Sequence, residues 1–176
     1  MNEDRRFPPA LAAAMVVRLD CIGDDEVDFE PYESFLTAAE TTDRVRAWTG
    51  NGGLNGDDFR MFGRDGTGGS AAFWLVRADR ELVEQPVVFM GSEGETGVVA
   101  RNLGAFLWLV ADGIGPWEAA NSYEPEPGGG TLPAHREPAA TAEQFAPDHR
   151  ASAAVVIEQA IREFPDFGDT MMKLCR

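Results

Sequence analysis

The sequence predicts an α+β fold: a single compact domain with a mainly antiparallel sheet flanked by helices. Three observations between Phe59 and Trp117 carry that expectation. Apolar runs come in pairs pinched by glycine turns, at 63–69 and again at 91–97. One run, Ala71–Val76, is apolar without a break, the pattern of a central strand covered on both faces. The last run, Leu103–Val110, follows the i, i+3, i+4, i+7 spacing of a helix instead. Loops this short between consecutive strands force antiparallel pairing, because a parallel pair needs a long crossover.

Taken in order, Pro8 and Pro9 suit a helix start, and Leu11, Met15 and Leu19 extend a first helix over 9–20. The most acidic run follows, from Asp20 to Glu33. Phe29, Tyr32, Phe35 and Leu36 fall at helical spacing, so this run is expected to be a solvated loop leading into a short helix. Val45 and Trp48 predict a helical turn or two over 42–48, broken by the glycines after Thr49. Strands are expected at 59–62, 71–76, 86–90 and 98–100. Asp65-Gly66 is a standard hairpin pair, and Pro86 is tolerable only at the start of its strand. Asn102 serves as an N-cap and Gly113 as the residue just past the helix end. Trp108 and Leu109 widen that helix's apolar sector, which calls for a second layer over it.

Residues 121–140 turn to Pro, Gly and short polar side chains, the composition of a flexible connection. Thr141 with Gln144 then resembles a capping box. Pro147 restarts a last helix, with Ala154, Ile157, Ile161 and Phe164 as its apolar stripe and Pro165 as its stop. This helix is expected to dock back on the core.

The composition narrows the class. Apolar residues at 44% and charged residues at 26% of 176 positions give a folding chain with a sizeable core, not a disordered one. The net charge of −15 repels phosphates and anionic lipid, so neither nucleic acid nor membrane is an expected partner. It attracts basic protein surfaces. Cys21 and Cys175 form no metal or redox spacing, and so few cysteines predict a reduced, cytoplasmic chain. No secretory signal is read in MNEDRRFPP, and Ala10–Val17 is too short to span a bilayer. Arginine almost to the exclusion of lysine (Lys173 alone), with much Ala and Gly, points to a GC-rich bacterial genome.

Catalytic and cofactor chemistry finds no foothold. Gly63–Ser70 has the glycines of a phosphate loop, but Gly69 stands where the lysine must be, and a strand follows in place of a helix. Neither Ser70 nor Ser92 lies in a nucleophile elbow. His135 and His149 are isolated, and the acidic run lacks a calcium-loop pattern. Glu93 with Glu95 is an exposed turn before it is an acid–base pair. The expectation is no enzyme, no cofactor and no metal.

The stretch from Phe59 to Gly113 resembles the SUKH superfamily, the Smi/Knr-like domains. The resemblance rests on FGRDGTGG, AAFWLV, QPVVFMGSEGETGVVA and NLGAFLWLVADG in that order, with FEPYESFL as a fainter match. Glu30-Pro31-Tyr32 keeps part of the family's Leu-Pro-x-x-Tyr signature, and the chain after Asn121 lies outside the likeness. The resemblance implies one SUKH-like domain over 1–176: a core at 29–120, a Pro/Gly-rich connection at 121–140 and a C-terminal helix at 141–176.

It also implies function. Bacterial members of this superfamily look like immunity proteins that neutralise a toxin domain, often a basic nuclease, by occluding it. The expected partner is a cognate toxin domain, with the chain a monomer or weak homodimer. The alternative is a cytosolic regulatory or scaffold protein that holds another partner with the same fold. Asp65, Trp74, Glu93, Glu95 and Trp117 are the candidate contacts. Against four of them stands a plainer reading: turn chemistry for Asp65, core for Trp74 and solvation for the two glutamates.

Overall fold

The computed structural model describes residues 4–16, 29–121 and 136–176. Its sheet is a meander of five antiparallel strands, β1 (Glu30–Pro31), β2 (Phe59–Arg64), β3 (Ser70–Trp74), β4 (Val87–Met90) and β5 (Thr96–Ala100), adjacent in chain order. The α+β reading is therefore correct, and hairpin follows hairpin as the short loops require.

Both faces of the sheet are covered. Phe62, Ala71, Phe73, Val87, Phe89 and Val99 face α1 (Pro9–Val16), α3 (Leu103–Ala111) and the helices packed around it. Phe59, Met61, Ala72, Val88, Met90 and Val98 face α2 (Ala38–Thr49) and α7 (Phe167–Leu174). This two-sided burial explains why β4 is apolar at every position, where a sheet wet on one face would alternate. Phe35, Phe62, Phe73, Phe89 and Phe106 are fully buried, each contributing about 1.5–3 kcal/mol of transfer free energy.

Several expectations need correction. No short helix forms at 29–36. Glu30 and Pro31 pair with Arg64 and Gly63, and Tyr32 and Leu36 donate to the carbonyls of Phe62 and Met61. Pro31 favours extended backbone before it, and the partner strand supplies hydrogen bonds that a helical turn would have to make alone. Phe29 and Phe35 are buried, but along an extended segment, with the Phe29 ring over Gly63 where no Cβ would fit. The acidic run at 20–28 and the end of the first helix lie outside the described residues. The helix expected at 42–48 runs from Ala38 to Thr49. Its start is a capping box: the Thr37 hydroxyl accepts from the Glu40 amide, while the Glu40 carboxylate accepts from the Thr37 amide and hydroxyl. Those Thr37 bonds, the amide's first, hold the Glu40 carboxyl below its ordinary range.

The α3 helix agrees at both ends with the sequence. Asn102 Oδ1 accepts from the Ala105 amide at 2.8 Å. Gly113 takes φ +77° while Gly113 and Ile114 donate to the carbonyls of Val110 and Leu109, a Schellman closure. Trp108 is covered as expected, its Nε1–H donating to Ala146 O at 2.8 Å.

The C-terminal third departs most. A short α4 (Pro116–Asn121) precedes residues outside the description, and α5 (Arg136–Phe145) already begins inside the 121–140 connection. Thr141 lies within α5, its hydroxyl bonded to Glu137 O, so it caps nothing. Three helices occupy the region expected to hold one: α5, α6 (Ala153–Glu163) and α7. Pro147 opens a single 3₁₀ turn, and α6 starts only after Ser152. Its buried stripe is Ala153, Val156, Ile157 and Ala160, which leaves Ile161 56% exposed. The stripe turned because α6 packs against β5 and α3 together.

Arg77 fastens the bend between β3 and β4. Its guanidinium donates to the carbonyls of Glu84 and Arg101, pairs with Glu163 at the end of α6, and lies 5.2 Å above the Phe164 ring. Gln85 returns bonds to the Arg77 backbone. In the same bend Asp79 takes φ +58°, a left-handed conformation that strains a side chain bearing Cβ.

Arg77→Ala strips two buried-side carbonyls and a carboxylate of their donor. We expect it to lower unfolding free energy by about 2–3 kcal/mol in urea titrations. Asp79→Gly relieves the left-handed strain and should raise stability by about 0.5–1 kcal/mol in the same measurement.

Candidate partner-binding face

The turns that join β2 to β3 and β4 to β5 emerge at the same end of the sheet. Asp65 builds the first. Its Oδ1 accepts from the Thr67 amide at 3.0 Å, the Thr67 hydroxyl at 2.8 Å and the Gly69 amide at 2.7 Å. Gly68 takes φ +99°, and a Cβ on Gly69 would lie 2.5 Å from Phe89. Glycine is thus required at both positions. Asp65 is only 2% exposed, with Oδ2 buried and unpartnered. Its carboxylate belongs to the turn, and it offers a partner almost no surface.

The second turn is tied to the first by the Ser92 hydroxyl, 3.0 Å from Thr67 Oγ1. It is tied to α2 by Trp48 Nε1–H, which donates to Gly91 O at 2.7 Å. Glu95 folds back, its Oε2 accepting from the Glu93 amide at 3.1 Å. Glu93 itself is exposed. Trp117, 36% exposed, lies one turn before Ala120 on α4, and Ala120 approaches so close that a Cβ on Gly97 of β5 would come within 3.0 Å of it. Glu93 is therefore an outward acidic group at this end that no described arginine neutralises, on a turn held by Thr67, Ser92 and Trp48.

Trp74 stands apart, at the other end of β3, where it pairs with Phe59. Its ring packs against Phe167 at 4.9 Å and Phe164 at 5.7 Å, half-buried between the sheet and the C-terminal helices. The structure thus brings Asp65, Glu93 and Glu95 together and separates Trp74 from them.

Sequence reasoning missed the acidic residues beside Trp74. The amide of Leu75 donates to Asp58 O at 2.8 Å, which sets exposed Asp57 and Asp58 against exposed Leu75 and Val76. The Asn55–Asp58 loop was visible in the sequence, but only the β2–β3 register shows what it adjoins.

Electrostatically, many arginines are already spoken for. Arg5, Arg64, Arg77, Arg80, Arg150 and Arg162 pair with Glu40, Glu30, Glu163, Glu84, Glu143 and Glu158. Among the described residues Asp57, Asp58 and Glu93 are in no ion pair, so the −15 charge is expressed outward at such groups. No three His, Cys, Asp or Glu side chains among the described residues gather closely enough to hold a metal ion. No described helix is long and apolar enough to cross a membrane. Comparison of the chain with models of known protein families, with curated proteins and with solved structures found no match.

Asp65→Ala should cost about 2–3 kcal/mol, because the buried Gly69 amide and the part-buried Thr67 amide lose their acceptor. Glu93→Ala should change stability by less than about 0.5 kcal/mol. Thermal or urea unfolding of the two variants separates the turn-building carboxylate from the surface one.

Proposed function

We propose that this chain is a non-catalytic acidic binding protein of the immunity type. On this reading it neutralises a basic toxin domain, such as a nuclease, by covering the surface that holds the toxin's substrate. The observation that carries the reading is the net charge of −15, left outward by carboxylates such as Glu93 that have no ion-pair partner among the described residues. A nuclease surface built to bind phosphates is positive, and a negative face both steers onto it and competes for it. The likeness of Phe59–Gly113 to the Smi/Knr-like domains supports the same reading from the side of sequence.

Occlusion asks for a rigid surface more than for reactive groups, since ordering a loop on binding would consume affinity. The tied turns at the end of β2 and β4 suit that requirement. Glu93 projects from a turn already tied down by Trp48, Thr67 and Glu95.

The test is a pull-down and calorimetric titration against basic toxin domains encoded beside this gene. A complex is expected at about 20 mM salt and should weaken by at least about tenfold at 300 mM, as screening shortens the reach of surface charge. Charge reversal by Glu93→Lys with Glu95→Lys should slow association about three- to tenfold. No complex at low salt with any such domain would overturn the toxin reading and favour a scaffold role with another protein.

A further inference from the structure

The segment ahead of α1 crosses the sheet face and makes a groove there. Phe35 N–H donates to Arg5 O at 2.9 Å, Arg5 Nε–H donates to Phe35 O at 2.7 Å, and Phe7 meets Phe35 edge-on at 4.8 Å. Between this segment, β2 and the 3₁₀ turn at Leu82–Glu84 lies a groove of about 530 Å³. Phe7, Pro8 and Leu82 form apolar walls above the buried Phe35 ring, while Asp4, Arg6 and Arg60 bring charge. The volume falls in the range of small-molecule sites, roughly 300–1,000 Å³.

The charges do not all remain available. Arg6 grips Asp4 with two bonds, at 3.0 and 3.1 Å, and holds its carboxyl down to about 2. That pair is neutral at any physiological pH. Arg60 is in no ion pair among the described residues. Its guanidinium lies 4.7 Å above the Phe35 ring, one N–H reaches the Asp4 carbonyl at 2.6 Å, and its Nε–H is buried without an acceptor. That nitrogen is closed to solvent, but an arginine cannot shed its proton, so the guanidinium that lines the groove keeps its attraction for an anion. Its planar fork matches a carboxylate. One uncommitted cation balances one negative charge, whereas a phosphate dianion would want a second, and Arg6 is already committed to Asp4.

We propose that this groove binds a small carboxylate with an aromatic or branched apolar body. Arg60 holds the carboxylate, and the half-buried Phe7 and Leu82 flank the body. The site is independent of the toxin reading and has the opposite salt signature. The field of a −15 protein repels an anion at long range, while Arg60 attracts it at contact. Added salt screens the repulsion more than the contact, so affinity should hold or tighten as the toxin complex weakens.

The test is an NMR titration of the full chain with 3-phenylpropionate, with 3-phenylpropan-1-ol as the uncharged control. Saturable shifts are expected at Arg6, Phe7 and Phe35 and at the Arg60 Nε–H, with the alcohol at least about tenfold weaker. Arg60→Met should reduce affinity by at least about tenfold. Because that change also leaves Asp4 O without its donor, Leu82→Glu provides a second variant. It sets a competing carboxylate in the groove, keeps Arg60, and should abolish binding. Absence of saturable shifts up to about 20 mM ligand overturns the proposal. So does equal binding of the alcohol, or unchanged affinity in Leu82→Glu.

Discussion

A sheet whose middle strands are apolar on both faces must be covered twice, and that requirement shapes everything around it. β4 offers no polar position at all, so one helical layer would leave Val88 and Met90 in water. The chain meets the demand from both ends. Helices α1, α3 and α5 cover one face, while α2 and α7 cover the other. The α6 helix joins the two layers: Ala153, Val156 and Ile157 belong to the first core and Ala160 to the second. A domain of this size can build two half-cores only because its C-terminal third returns to the sheet.

The joints between layers are polar and specific, which is how packed but non-directional contacts acquire a single arrangement. Asp112, beyond α3, accepts from the Ala153 amide at 2.7 Å and so places the start of α6. Arg77 places its end through Glu163. Asn102 and His149 meet at 3.3 Å where the 3₁₀ turn after α5 crosses the start of α3, with the imidazole filling the space that Gly104 leaves. The sheet's outer strands are guarded as well. β1 is two residues long and contains a proline, and the outer side of β5 is packed by α4 and α6. Neither invites another strand.

Charge and fold are nearly separate problems in this molecule. The carboxylates that fold the chain are few: Asp65 buried in its turn, Asp112 at the start of α6 and Glu40 in the cap of α2. The many others are neutralised by arginines or left outward, where they govern steering and solubility more than stability. Arg60 is the reverse case, a cation on β2 against Phe35 within a strongly acidic chain. Long-range potential and local recognition can therefore favour opposite ligands on one surface.

By itself, the sequence determined what depends on neighbours in the chain. Glycine turns and the Asn102 and Gly113 ends of α3 each follow from local backbone chemistry, and each is found where it was read; the apolar run from Ala71 forms strand only as far as Trp74, with Leu75 and Val76 exposed beyond it. Tertiary structure decided whatever depends on distant partners. Glu30 and Pro31 became a strand because β2 was there to pair with them. The α6 stripe turned by one position because β5 and α3 both needed covering, and α7, which completes the second layer beside α2, has no side-chain cap to mark its start. The candidate site divides in the same way. The acidity of Glu93 and Glu95 is legible residue by residue, but the burial of Asp65, the distance of Trp74 and the groove at Arg60 arise from contacts across 25 or more positions, such as Phe35 with Arg5 and Thr67 with Ser92. A pattern in sequence records what a residue prefers; which neighbour satisfies it is settled only when the chain closes.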